Sequence, residues 1–352
     1  MRTKRLLTNL STFCLSLAMV VLFTLPCNSA EITPKDAAAK GWPKIIAIGS
    51  GTGTFYYVLV AGIATMTDKY LGVRVAPSRT TGTANVLELM LTNEIQGGII
   101  DYDGLYSVTG QHRYQGKAAY PARAWLQSVY IDMDILTRDP KIKTVKDLKG
   151  KTAMLYPRGS PFHEKMAYTT LRAYGLEPSD LTVLPYDSSS ECNAALKTGK
   201  IDAFYGGATY PSSVWVDLML SDRNVRILHI DDEHMAKITA ENPALVGLTI
   251  PGGTYPNHDK DIQVVATLCY HVSHVDLPDS FVYEQTKMVW ERFDEFCAYH
   301  PRIRGMYKPQ DVKIVNMLYH PGAIKYYKEI GVWGPEEDKR QAELLRRAGV
   351  KR

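Results

Sequence analysis

Apolar and polar residues follow two rhythms along this chain, and the order of the rhythms repeats. Lys44-Ile45-Ile46-Ala47-Ile48 predicts a strand, and the glycine turn Gly49-Ser50-Gly51-Thr52-Gly53-Thr54 follows at once. Apolar positions then recur at Phe55, Leu59, Gly62, Ile63 and Met66, the spacing of one helix face. Gly72 ends that helix in the manner of a C-cap, and Val73-Arg74-Val75-Ala76 restarts an alternating strand. A second turn, Thr80-Thr81-Gly82-Thr83, leads into a helix carrying Val86, Leu87, Met90 and Leu91. Ile99-Ile100 is then a short buried strand that runs into Asp101-Tyr102-Asp103-Gly104.

The same order returns downstream. Lys151 to Leu155 predicts a strand, Pro157-Arg158-Gly159-Ser160 a turn, and Phe162 to Tyr174 a helix closed by Gly175. A strand at Leu181–Leu184, a helix at Glu191–Lys197 and a buried strand at Ile201–Tyr205 running into Gly206-Gly207 complete the unit. Thr92-Asn93-Glu94-Ile95-Gln96-Gly97 and Thr198-Gly199-Lys200-Ile201-Asp202-Ala203 hold the same place in their units, and Asn93 and Gly199 both suit a left-handed helix end. Two similar α/β lobes are expected rather than one large sheet.

Trp125–Tyr130 and the alternating Ile131-Asp132-Met133-Asp134-Ile135-Leu136 predict a long strand crossing between the lobes, with Asp132 and Asp134 on a wet face. Gln263–Leu268 is the return crossing, so the pair makes a hinge. Residues 42–128 are then the first part of lobe one, 129–260 lobe two, and 261–345 the return to lobe one with its carboxyl-terminal helices. Asp276 or Asp279 caps the first of those helices, and a helical hairpin follows Pro309.

The amino end changes the picture of where the chain works. Basic residues Arg2, Lys4 and Arg5 precede a largely apolar stretch from Phe13 to Leu25, and Pro26 to Ala30 supply a break and small residues. Residues 1–30 therefore predict a secretory signal peptide cut near Ser29 or Ala30, and a periplasmic mature protein. The apolar run is shorter than the roughly 20 residues a membrane span needs. The chain has 352 residues with a formal charge of +4, and without Arg2, Lys4 and Arg5 it carries 38 cations against 37 anions. A balance so near neutral argues against a phosphate-backbone binder, so nucleic acid is not an expected partner. Cys192, Cys269 and Cys297, the cysteines beyond the leader, fit neither a disulfide framework nor a zinc pattern; a Cys269–Cys297 bridge and buried small apolar residues are both open, the second preferred.

Candidate chemistry gathers at the turns. Glycines at the carboxyl ends of parallel strands let backbone N–H groups point at a ligand beside a helix N-terminus. Thr52, Gly53 and Thr54, then Thr81, Gly82 and Thr83, then Gly159 and Ser160 supply such donors with hydroxyls, a set suited to a small carboxylate. Arg79 offers a bidentate fork to that carboxylate or is a plain surface arginine. Asp101, with Asp103 beyond it, meets an ammonium group or bridging cation, or else is solvated or paired with Arg79. Pro161 removes one backbone donor. Asn85 closes the second turn, Gly206 ends the last strand, and Tyr56, Tyr130 and Tyr210, with Tyr57 and Tyr205, lie at or beside the turns.

Other chemistries lack their constellations. The first turn reads GxGxG, with Thr54 where a dinucleotide fingerprint has its third glycine. Ser160 is not in a nucleophile elbow. His271-Val272-Ser273-His274 and Asp231-Asp232-Glu233-His234 lack metalloprotease spacing and are read as solvated surface. No catalytic residue, metal or cofactor is expected.

The chain resembles the TAXI class of extracytoplasmic solute-binding proteins of TRAP transporters over essentially all of its mature length. The resemblance is carried by Ile46–Tyr57, Thr81-Gly82-Thr83-Ala84-Asn85, Tyr130, Val145–Lys151, Gly159-Ser160, Leu196–Phe204, Gly253-Thr254-Tyr255-Pro256, and His320-Pro321-Gly322-Ala323 with Tyr326-Tyr327. It implies a periplasmic-binding-protein fold of type II-like form that closes on a small carboxylate-bearing solute or amino acid and delivers it to membrane permease subunits. Asp101-Tyr102-Asp103 stands where the family has Gln-Ser-Asp, and Gly159-Ser160-Pro161-Phe162 where it has Gly-Ser-Gly-Thr, which argues against a simple dicarboxylate. A periplasmic enzyme or a ligand sensor on the same scaffold is the alternative.

Overall fold

The computed structural model describes residues 31–50, 54–101, 103–111, 114–117, 119–158 and 161–351. The expected signal peptide at 1–30, with Cys14 and Cys27, lies outside them, as do Thr52, Gly53, Gly159 and Ser160.

The strands are β1 Ile45–Ser50, β2 Arg74–Arg79, β3 Gly97–Ile100, β4 Ala122–Thr137, β5 Thr152–Pro157, β6 Thr182–Tyr186, β7 Ala203–Ala208, β8 Arg226–Ile227, β9 Leu245–Ile250 and β10 Ile262–His274. The helices are α1 Pro34–Ala39, α2 Thr54–Leu71, α3 Thr83–Leu91, α4 Asp103–Thr109, α5 Pro161–Ala173, α6 Ser189–Lys197 and α7 Ser213–Ser221. They continue as α8 Asp232–Glu241, α9 Asp279–Glu291, α10 Phe293–Ala298, α11 Ile303–Met306, α12 Pro321–Glu329 and α13 Pro335–Ala348. Thus α2, α3 and α4 follow β1, β2 and β3, while α5, α6 and α7 follow β5, β6 and β7.

The strand order is β2-β1-β3-β10-β4-β7-β5-β6, with β8 on β4 and β9 on β10. In the first lobe β1 runs parallel to β2 and β3; in the second, β5 runs parallel to β6 and β7. The two lobes of the expected α/β fold are not separate sheets. Antiparallel β4 and β10 pair along both, so one ladder runs through the molecule. The two crossing strands stay paired on both sides of the crossing, with register shifts between Leu268 and Tyr270 and between His271 and Val272.

Helix ends follow the sequence signals. Asn93 and Gly199 adopt left-handed φ values of 59° and 72° at equivalent positions in the two lobes. The carboxyl-terminal helices return to the first lobe, α9 packing on α2 and α12, and α13 on α4. Neither Asp276 nor Asp279 caps α9: Pro278 holds the N-cap position, and Asp279 is the first helical residue.

The wet face expected for Asp134 is absent. Asp134 is fully buried, because β4 is a central strand covered on both faces, with Met133 and Ile135 in one apolar cluster and Leu136 in the other. His271, Ser273 and His274 are likewise buried in β10 and not solvated. The His271 ring lies 2.8 Å from the Tyr307 hydroxyl, and burial pulls its pKa down to about 3.

Candidate functional site

Register brings the two lobes to one point. The end of β3, Ile100, sits opposite Tyr270 of β10, and Tyr270 sits opposite Gln127 of β4. From the other side, the end of β7, Ala208, sits opposite Asp132. Residues 128–131 of β4 therefore span the gap between the carboxyl ends of the two parallel sets. Five strand steps correspond to about 16 Å. Pairing is irregular here: Leu268 faces Tyr130 and Tyr270 faces Gln127, a bulge with Cys269 at its centre.

On the first lobe, the turns after β1 and β2 are tied together. The Thr80 hydroxyl and amide both donate to the Ser50 carbonyl, at 2.7 and 2.9 Å. Gly82 has φ 142°, a conformation that L side chains rarely adopt, and no atom stands within 4 Å of where a Cβ would be. It is the N-cap of α3 and, as a glycine, brings no side chain to cap the first turn. The Thr81 amide donates to Asn85 Oδ1 at 3.2 Å, and the Asp101 amide to the Thr83 hydroxyl at 3.2 Å. The expected residues Thr81, Gly82, Thr83, Asn85 and Asp101 are thereby one connected group.

Tyr56, in the first turn of α2, reaches from this group to the crossing. Its hydroxyl lies 3.7 Å from the Cys269 thiol. Burial first, then Cys269 and Asp101, hold the Tyr56 pKa well above its ordinary value; burial and then Asp101 raise that of Cys269. Tyr56 is thus a neutral hydroxyl, and Asp101 lies near enough to both groups to act on them. Arg79, at the end of β2, is exposed, its guanidinium 4.9 Å from the centre of the Tyr57 ring.

The second lobe contributes fewer described groups. Tyr210 is half-buried beyond β7 and packs against the apolar core. Gly206 is buried, and a Cβ there would meet the Phe204 and Trp215 rings at 2.9 Å, so its bareness serves packing. Tyr205 faces the second-lobe core, its hydroxyl 3.2 Å from Thr170. Thr54, Asp103, Tyr130 and Pro161 are placed by backbone alone: three open α2, α4 and α5, and Tyr130 stands on the gap.

Cys269 was not singled out by the residue pattern. Its position in the middle of the return strand was the available signal. Cys192, Cys269 and Cys297 are free and buried, in keeping with the apolar reading. Two cavities lie away from the carboxyl ends of the strands, one walled by Trp42, Ile45 and Arg74 at the amino ends of β1 and β2, the other by Tyr174, Asp231 and His234. In the second, Asp231 caps α8 and the His234 ring stacks on Tyr174 at 3.7 Å, a structural use for that acidic run. Among the described residues no group of three or more His, Cys, Asp or Glu is placed to hold a metal ion, and no helix is long and apolar enough to cross a membrane.

A profile described as the NMT1-like family matches residues 46–331. Among solved structures, a TctC solute binding protein from Polaromonas, without ligand, has a TM-score of 0.51 at 12% identity, over 87% of this chain and 95% of that one. XAC2383 from Xanthomonas citri bound to ATP has a TM-score of 0.49 at 10% identity, over 87% and 97%. The periplasmic aliphatic sulphonate binding protein SsuA from Escherichia coli has 0.44 at 16%, over 86% and 92%. The likeness to the TctC protein is one of fold.

Proposed function

The chain belongs to the NMT1-like family, and on that premise we propose that it is a periplasmic solute-binding receptor. It takes a small carboxylate-bearing solute or amino acid between its lobes and hands it unchanged to TRAP-type permease subunits, in the manner of the TAXI class. The observation that carries this reading is the convergence of β3 and β7 on residues 128–131 from opposite lobes. A solute held there touches both lobes at once, and contacts made to both lobes favour a closed form over an open one.

In this reading the first turn of α3 and the hydroxyls of Thr81 and Thr83 hold the carboxylate, and Arg79 swings from the Tyr57 ring to pair with it. Tyr56 gives a neutral hydroxyl to the floor. Asp101 sets a negative charge beside it, which suits a ligand that also carries an ammonium group or a cation.

The test is a thermal-shift screen of carboxylates and amino acids, each with and without chelator, followed by calorimetry on the compounds that raise Tm. One solute should bind at one site per chain and be recovered intact, with Arg79→Ala weakening binding at least tenfold while leaving the ligand-free Tm in place. Turnover of the solute, or no stabilising compound in the screen, overturns the reading.

A further inference from the structure

A side chain of the first lobe is buried in the second, beside the stretch of β10 where Thr267 pairs with Ile131. Tyr106, on the second turn of α4, donates its hydroxyl to Asn242 Oδ1 at 2.9 Å. Both residues are almost wholly inaccessible, at 4% and 2% exposure. Asn242 ends α8 and precedes β9, the strand that continues the second lobe along β10. Lys165, on the second turn of α5, sets its ammonium 5.4 Å from the centre of the Tyr106 ring.

Each half of the contact is fixed to its own lobe. Helix α4 is backed by α13, and the Ser107 hydroxyl donates to the Gly104 carbonyl at 2.8 Å. Across the seam α5 packs on α8. The Thr169 hydroxyl donates to Glu241 at 3.0 Å, and Arg172 Nε at 3.1 Å, holding the corner that carries Asn242. Burial pushes the Lys165 pKa down while Glu241 pushes it up, in keeping with an ammonium half-withdrawn from water at this junction.

We infer that Tyr106 and Asn242 form an inter-lobe latch that sets the balance between closed and open receptor. This rests on the two-lobed receptor reading above and concerns the regulation of the same site. The contact consists of the chain's own atoms, so it favours closure whatever solute is present. It is also poised near balance. Closure removes Asn242 Nδ2 from water without a hydrogen-bond partner, a cost that opposes the Tyr106 bond and the burial of its ring. A latch of this kind leaves the solute only part of the work of closing, and its strength tunes apparent affinity through the population of the competent state.

Small-angle scattering on the ligand-free protein tests this, comparing wild type with Tyr106→Phe, Asn242→Ala and the double variant. Wild type should show a radius of gyration between those of the compact and the open arrangements. Tyr106→Phe keeps the ring but loses the bond, and should enlarge the radius of gyration, with the open-to-closed ratio rising about two- to tenfold. The double variant should open no further than the more open single one, since both remove the same bond. Equal radii in all four proteins, a wild type already open, or fully additive single effects would overturn the latch. A drop in Tm without a change of radius would do so too, marking the contact as ordinary packing. Failure of every solute in the screen counts against the receptor reading instead, and leaves the scattering result standing.

Discussion

The Tyr56 hydroxyl touches the Cys269 thiol at 3.7 Å, where the return strand passes from one lobe into the other. Tyr56 opens the helix after the first glycine turn, so this contact joins a candidate ligand-binding element directly to the crossing. Any movement of the crossing strands alters the packing under that turn.

Burial makes Cys269 a slow thiol. Its pKa is raised by burial and by Asp101, that of Cys192 is pushed by burial to about 12, and Cys297 is raised as well but is the most accessible of the three. N-ethylmaleimide at pH 7.5 should modify Cys297 first and Cys269 last in the native protein, and all three at once in guanidinium. Peptide mass mapping reads the order. Early modification of Cys269 would contradict the packing described for the crossing.

Acid should unfold the protein through histidines held neutral. Burial lowers His271 from 6.5 to about 3 and His163 from 6.5 to about 4. The unfolded chain takes up these protons first, so the contribution is complete above about pH 6.5 and is lost as pH falls toward the folded values. Each proton steepens the fall by about 1.4 kcal/mol per pH unit inside that window. Urea unfolding between pH 7.5 and 4.5 should show the slope, and His271→Gln should make it shallower by about one proton. Identical slopes would place the acid sensitivity elsewhere.

Gly322 follows the His320-Pro321 start of α12, where a Cβ would stand 2.2 Å from the Asp279 carbonyl oxygen and 2.8 Å from the Tyr283 amide nitrogen. Both neighbours are backbone of α9, so neither yields by rotating a side chain. Gly322→Ala should cost about 1–3 kcal/mol or more by prising α12 from α9. Chemical denaturation measures it. A loss below about 0.5 kcal/mol would mean that the two helices separate freely.

Much of this fold is legible in the residue pattern, for identifiable reasons. Strand, glycine turn and helix recur because each βα unit needs a sharp turn and an apolar face, and Asn93 and Gly199 mark equivalent helix ends. The crossings at Trp125–Leu136 and Gln263–Leu268 read as strands because the first alternates apolar and polar residues over its second half and the second is a short run rich in apolar residues. Asp134 misled because alternation with Met133 and Ile135 looks like a half-exposed strand, whereas coverage of its other face depends on Phe204 and Trp215, far along the chain. His271 misled similarly, its hydroxyl partner Tyr307 lying in the carboxyl-terminal region. Tyr106 and Asn242 carry no local signal, since neither sits in a turn motif and their contact exists only once the lobes meet.

A crystal structure with the stabilising solute bound tests the central claim most directly. The solute should lie across residues 128–131, touching the first-lobe group of Thr81, Thr83 and Asp101 on one side and the β7 end near Ala208 on the other. Density instead in the cavity beside Trp42 or in that beside Tyr174, with the space between the lobes left to solvent, would contradict it.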